Sequence, residues 1–201
     1  MSVNTLHKDY DANLLRWRKV RDCVEGSDKI KSRAIGDGGY PGTAYLPVPN
    51  GATGDKVRYA DYVRRAEFAN FTGYTLDGLM GMVFRADPII ELPPQLEQLE
   101  WNSNGAGLSL DQSVRAAISE TIITGRYGLL ADYPRAEGGM TLAQTSELSA
   151  SILGYDTESI INWRYSVRNG RTVLSLLVLK ESVSVDNGFE SEDGIQYRVL
   201  A

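Results

Sequence analysis

The sequence predicts an α+β fold in which amino-terminal helices are followed by a mostly antiparallel sheet. Apolar residues recur at helical spacing through much of residues 10–84. Further along, Asn169-Gly170 separates two runs rich in β-branched residues, a pattern that indicates a β-hairpin. A length of 201 residues with 42% hydrophobic and 23% charged side chains is typical of a globular protein with a packed core.

The first predicted helix runs from Tyr10 to Val24. Its apolar residues, among them Tyr10, Leu14 and Trp17, fall on one helical face, and Gly26 can end it. The other face is basic, from Arg16 to Arg21. Since the basic residues and the tryptophan fall on different sides, we interpret the helix as one with a solvated basic face and a buried Trp17. The alternative is that the basic face binds a nucleic-acid phosphate backbone.

Residues 57–84 predict two helices that are separated near Thr72-Gly73. Thr75 is a candidate N-cap for the second of them, and Asp87-Pro88 should stop it. Their apolar positions repeat at helical spacing and are Val57, Tyr59, Tyr62, Val63, Ala66 and Ala69, then Leu76, Leu79, Met80, Val83 and Phe84.

The segment from Gly36 to Gly54 is so rich in glycine and proline that we predict a loop, with at most a short strand at Ala44 to Leu46. We take it as the internal boundary of the chain. Residues 1–54 are then a helix plus a Gly/Pro-rich arm, and residues 55–201 a domain of helices and antiparallel sheet.

The second half carries the clearest local signals. Ser109 and Gln112 form a capping box at the start of a helix that Gly125 should end, and Pro94 should open a brief helix before it. Strands are predicted at 127–133, buried on both faces, and at 160–167, 172–181 and 195–200, with a loop and a short helix between residues 136 and 151. The last strand pattern continues to Ala201, which we interpret as a domain truncated at its carboxyl end or completed by another segment.

Composition excludes several classes of function. One cysteine and one histidine give no internal disulfide, no His-rich metal site and no pair of imidazoles. A net charge of −5 argues against broad wrapping of nucleic acid, although residues 1–35 carry eight basic against five acidic side chains. No apolar run approaches the roughly 20 residues of a membrane span, and no secretory signal opens the sequence.

Candidate chemical groups each have a plainer interpretation. The glycines from Gly36 to Gly42 lack the spacing of a dinucleotide-binding loop, and Ser109 already serves as a helix cap. Cys23 is expected to be a small packing residue rather than a reactive thiol. Asp132 interrupts an apolar strand, so we expect an ion pair with Arg126 or Arg135, with an active-site acid as the alternative. We therefore predict no catalytic, cofactor-binding or metal-binding residue.

Several segments in order resemble the amino-terminal part of tailed-bacteriophage portal proteins, closest to a portal-like phage family long catalogued only as a domain of unknown function. They are Tyr10…Trp17…Arg21-Asp22-Cys23…Gly26, Tyr45-Leu46-Pro47, the run from Arg64 to Thr72, the run from Thr75 to Arg85, the run from Gly125 to Pro134, and Ile160-Ile161-Asn162-Trp163-Arg164.

The resemblance implies a non-enzymatic structural subunit of the portal, or head-tail connector. Such proteins form oligomeric rings, usually dodecamers, at one capsid vertex, and DNA is packaged and ejected through the ring. Implied partners are further copies of the chain, the capsid, the packaging ATPase and tail adaptor proteins, without a cofactor or membrane. The location is the virion, and the host cytoplasm during assembly. This sequence would cover the wing, without the stem and clip. Two alternatives are another head-tail adaptor and a small hydrolase that uses Asp132.

Overall fold

A computed structural model describes residues 2–33, 43–49, 54–133, 149–186, 188 and 191–201. The fold is α+β, as predicted, with amino-terminal helices followed by antiparallel sheets. The chain divides into two compact units. Unit 1 consists of residues 1–14 and 86–201, and unit 2 of residues 15–85. The boundary suggested by the sequence, after residue 54, falls within unit 2 and stays a prediction.

The helices of the described segments follow the predicted order, with bounds set by local capping. Two short 3₁₀ helices, Pro94–Glu100 and Thr157–Ser159, accompany them, and the first confirms the predicted helix after Pro94. None of the helices in the described segments has the length and apolar character needed to span a membrane. The α-helices are α1 (Lys8–Glu25), α2 (Ser27–Ser32), α3 (Lys56–Arg65), α4 (Phe71–Val83) and α5 (Leu110–Thr124).

The predicted break between the two middle helices is wrong in position. Helix α3 ends at Arg65, and Thr72 and Gly73 lie inside α4. The reason is Asn70, whose side chain accepts a hydrogen bond from the Gly73 backbone N–H at 2.8 Å and so caps α4 five residues before Thr75. Thr75, the predicted cap, instead donates to the Phe71 carbonyl within the helix.

Helix α5 confirms the capping prediction at both ends. Ser109 accepts from the Gln112 backbone, and the Gln112 side chain accepts from the Ser109 N–H, which is a complete capping box. At the other end Gly125 has φ 80°, the left-handed conformation in which a glycine is favoured. Two backbone N–H groups at the start of the helix, which have no partner within it, are therefore hydrogen-bonded by side chains three residues apart in sequence.

The described residues of unit 1 form two antiparallel sheets. Strands β1 (Gly128–Asp132) and β2 (Ser151–Tyr155) form a pair, with Leu130 opposite Leu153. Strands β3 (Ile160–Arg168), β4 (Arg171–Asp186) and β5 (Ser191–Leu200) form the predicted meander. Asn169 and Gly170 have φ 51° and 73° in the hairpin turn, as the Asn-Gly pair predicts.

Three strand predictions need correction. Residues 44–46 form a turn rather than a strand. Strand β2 was not predicted; the predicted loop at 136–151 ends at Ser151, where the strand begins. Strand β1 is half-buried rather than buried on both faces, because one of its faces is open and leaves Leu129 62% exposed. The short helix predicted at 142–148 lies outside the described residues.

The core of unit 1 lies where the two sheets meet. Tyr155, Ile160 and Leu179 form its buried centre, and Trp163 packs against them. In unit 2 the buried apolar residues include Ile30, on α2, and Tyr59 and Val63, on α3. Each unit therefore has buried apolar residues of its own.

Candidate functional site

The main polar cluster of unit 1 is built around Glu181 on β4. One carboxylate oxygen accepts from Arg198 Nε at 2.7 Å and from the Tyr155 hydroxyl at 2.5 Å, and the other accepts from Gln196 at 2.7 Å. Arg198 also donates to Asp132 at 2.8 Å, across to strand β1. All five side chains are thus joined in one network.

The contacts in this network keep Glu181 ionised and Tyr155 neutral. Burial opposes ionisation of Glu181, but the hydrogen bonds from Tyr155, Gln196 and Arg198 prevail and hold its pKa below the usual value. Burial and the bond to Glu181 raise the pKa of Tyr155 to about 12. An anionic glutamate and a neutral tyrosine are poorly suited to exchange a proton near neutral pH.

Asp132 forms an ion pair, but with a different arginine from those predicted. Its partner is Arg198 on β5, 66 residues away. Arg126, one predicted partner, donates instead to the carbonyls of Thr157 and Ile160. Arg135, the other, lies outside the described residues. The side chain of Asp132 is also 40% exposed, so the expectation of a buried acid was wrong.

Arg126 takes part in an aromatic arrangement that the sequence did not reveal. Its guanidinium carbon lies 4.4 Å from the ring centre of Trp163, and the His7 ring stacks on Trp163 with centres 4.0 Å apart. Burial lowers the pKa of Arg126. The His7 backbone N–H also donates to the Ile161 carbonyl, so the amino-terminal segment is fixed against β3.

Unit 2 contains a buried acid that sequence analysis missed. Asp22 is 2% exposed and accepts hydrogen bonds from Arg33 Nε at 2.8 Å and the Tyr45 hydroxyl at 2.6 Å. Burial opposes its ionisation, but these two bonds together with the positive charges of Arg33 and Lys29 outweigh it and lower its pKa. The partners are 11 and 23 residues away. No local pattern marks such a site.

The other residues that the sequence offered as chemical groups have no feature of a reactive site where the structure describes them. Cys23 is half-buried, and burial raises the pKa of its thiol, which disfavours the reactive thiolate. It lines a cavity of about 210 Å³ with Ile30, Leu46 and Phe68. Ser109 is the cap of α5. The glycines at 36–42 lie outside the described residues.

The described segments contain no group of three or more His, Cys, Asp or Glu side chains arranged to hold a metal ion. On α1, the basic side chains of Arg16, Arg18 and Lys19 are exposed, whereas Arg21 and Trp17 are both half-buried. The solvated basic face therefore consists of Arg16, Arg18 and Lys19 without Arg21, and Trp17 is not buried as fully as the interpretation expected.

Within the described part of unit 2, helix α4 has more exposed large apolar side chains than any other element. Phe71, Tyr74 and Met82 are 75%, 73% and 67% exposed. Their spacing places them on one face of the helix, with Gly78 between them. Asp77 is the single charged residue in the helix. An apolar stripe of this kind on a helix is typical of a surface that contacts another protein.

These observations define an α+β protein in which Asp22, Asp132 and Glu181 are each paired with an arginine and helix α4 exposes an apolar face. No protein-family model matches the sequence, and no curated protein matches it.

Proposed function

We propose that this chain is a structural subunit of a tailed-bacteriophage portal, the ring through which DNA is packaged and ejected. The proposal rests on the ordered family-like segments of the sequence and on one structural observation, the exposed apolar face of α4 formed by Phe71, Tyr74 and Met82. Its partners in the ring are further copies of the chain, and the capsid, packaging ATPase and tail adaptors contact the assembled ring.

Ring assembly needs an interface in which two different surfaces of neighbouring copies meet, because head-to-tail contacts close a circle. An apolar helix face rimmed by polar residues is suited to one half of such an interface. The paired state of Glu181, Asp22 and Asp132 supports a structural role, since each carboxylate already has an arginine partner in the fold.

Native mass spectrometry and negative-stain microscopy of the product of the complete reading frame test the proposal. We expect a closed ring. Replacement of Phe71 and Tyr74 by serine should lower the fraction of ring, whereas Asp77→Ser, an exposed change on the same helix, should leave it unchanged. A product that is strictly monomeric or dimeric at micromolar concentration would contradict a portal role.

The hydrolase alternative makes a separate prediction. If Asp132 were a catalytic acid, a hydrolytic activity of the purified chain would be abolished in Asp132→Asn. We expect no such loss, because Asp132 is bound to Arg198 and Glu181 has its own partners. The adaptor alternative is tested on the complete reading frame. A portal reading frame should encode two long helices around a β-rich insert, and an adaptor reading frame should lack them.

A further inference from the structure

A second cavity in unit 2 is lined by an unusual set of charges. It has a volume of about 180 Å³, far above the roughly 10–15 Å³ that one water molecule requires by the same measure. One wall is a face of α1, where Leu15, Arg18, Lys19 and Asp22 follow one another at spacings of three, one and three residues. Arg33, which is bonded to Asp22, also lines the cavity.

The positive charges of this cavity exceed what the protein itself neutralises. Among the described residues that line the cavity, Asp22 is the only acidic one, and it is bonded to Arg33 and Tyr45, which also line the cavity. Arg18 and Lys19 form no ion pair with any residue that the structure describes. Of the described residues that line the cavity, three are therefore cationic and one is a carboxylate, which is already paired with Arg33.

The donors are also of the right kind for an oxyanion. Asp22 holds Arg33 through Nε, so the two terminal amino groups of that guanidinium remain for a ligand. Arginine matches tetrahedral oxyanions with pairs of parallel hydrogen bonds, and lysine adds a compact charge. Bringing Arg18, Lys19 and Arg33 to one cavity is electrostatically unfavourable until an anion binds between them.

We propose that this cavity binds a phosphate-type oxyanion, held by Arg18, Lys19 and the terminal amino groups of Arg33. The same chemistry is offered by free inorganic phosphate and by a phosphodiester of a nucleic-acid strand. Arg18 and Lys19 are exposed, so the cavity is open to either source. This inference does not depend on the portal proposal.

Isothermal titration of the full chain with inorganic phosphate at low ionic strength tests the site. We expect one saturable site, and an affinity at least tenfold weaker in the double variant R18Q/K19Q. The matched control is R16Q. Arg16 is exposed on the same helix but does not line the cavity, and it too forms no ion pair within the described segments, so its loss should leave the affinity unchanged.

Two results would overturn the proposal. One is the absence of saturable phosphate binding by the unmodified chain. The other is an equal loss of phosphate affinity per charge removed in R16Q and in R18Q/K19Q, which would mean that phosphate is attracted to the basic helix as a whole and not to this cavity. Both variants change exposed side chains, and circular dichroism verifies their fold. A short single-stranded DNA that competes with phosphate identifies the phosphodiester as the source, and lack of competition identifies the free oxyanion.

Discussion

Replacement of Asp22 by asparagine should destabilise unit 2 by about 2 kcal/mol. The change keeps the shape of the side chain and removes its charge. Asp22 accepts two charge-assisted hydrogen bonds, from Arg33 and Tyr45, at 2.8 and 2.6 Å. A bond to a charged group contributes about 1.5–3 kcal/mol and a neutral one about 0.5–1.5. The Tyr45 bond becomes neutral, and the Arg33 bond keeps its charged donor but loses the opposite charge, so a loss of about 1 kcal/mol is expected for each.

The matched control is Asp61→Asn, which removes a carboxylate from an exposed pair on α3. Asp61 and Arg64 are 48% and 78% exposed, and their contact is also 2.8 Å long. Water screens such a pair, so its loss should cost about 0.3–0.5 kcal/mol. The side chain of Asp22 is only 3% exposed, which is the difference that the comparison isolates.

Native-state hydrogen exchange read by mass spectrometry on peptides from α2 measures the effect, because exchange resolves the stability of one unit from that of the other. Equal free-energy losses in D22N and D61N would refute the reasoning, since burial would then make no difference. An unchanged D22N would equally show that the charge of Asp22 contributes nothing to the fold.

The effect of pH follows from the lowered pKa of Asp22. An aspartate whose pKa is lower in the folded state stabilises the fold fully above its unfolded pKa of about 3.9, and this contribution is lost as pH falls through the folded value. Urea unfolding should therefore show a gap between the unmodified chain and D22N that is widest near neutral pH and closes in acid. A gap of constant size would contradict this assignment.

Three further changes test other parts of the fold. In Gly154→Ala the new Cβ would overlap the Tyr127 hydroxyl, so a loss of about 1–3 kcal/mol in urea unfolding is expected, and the double change with Tyr127→Phe should recover part of it. Ser109→Ala removes the cap of α5 and should cost about 1 kcal/mol, measured as a lower Tm. In Gly170→Ala the left-handed φ of 73° is strained for alanine, and a loss of about 1 kcal/mol is expected by the same melting assay.

Local signals predicted the elements whose stabilising contacts lie close in sequence. The Ser109 cap spans three residues, and the turn at Asn169 and Gly170 needs only the left-handed tolerance of those two residues. The start of α4 was missed because two residues, Asn70 and Thr75, could both act as caps, and only the folded chain shows which one does.

The polar sites could not be predicted in the same way, because their partners are distant in sequence. Asp132 and Arg198 are separated by 66 residues and lie in different sheets, and the packing of the two sheets, which the sequence does not specify, brings them together. The sequence correctly indicated that Asp132 requires a partner, since an ionisable side chain in an apolar strand is costly alone. The only partners that could be inferred from the sequence were arginines close to Asp132 in the chain, and one of them, Arg126, donates to backbone carbonyls instead.

Strand β5 separates the polar network from the apolar surface. Side chains alternate between the two faces of a strand, and Gln196 and Arg198 both turn toward Glu181. Ile195 and Val199 therefore lie on the other face, where they are 59% and 47% exposed. A partner that covers this sheet would meet Ile195 and Val199 and leave the network around Glu181 untouched. Substitutions on the two faces can thus distinguish an assembly role of the sheet from a chemical role of its carboxylates.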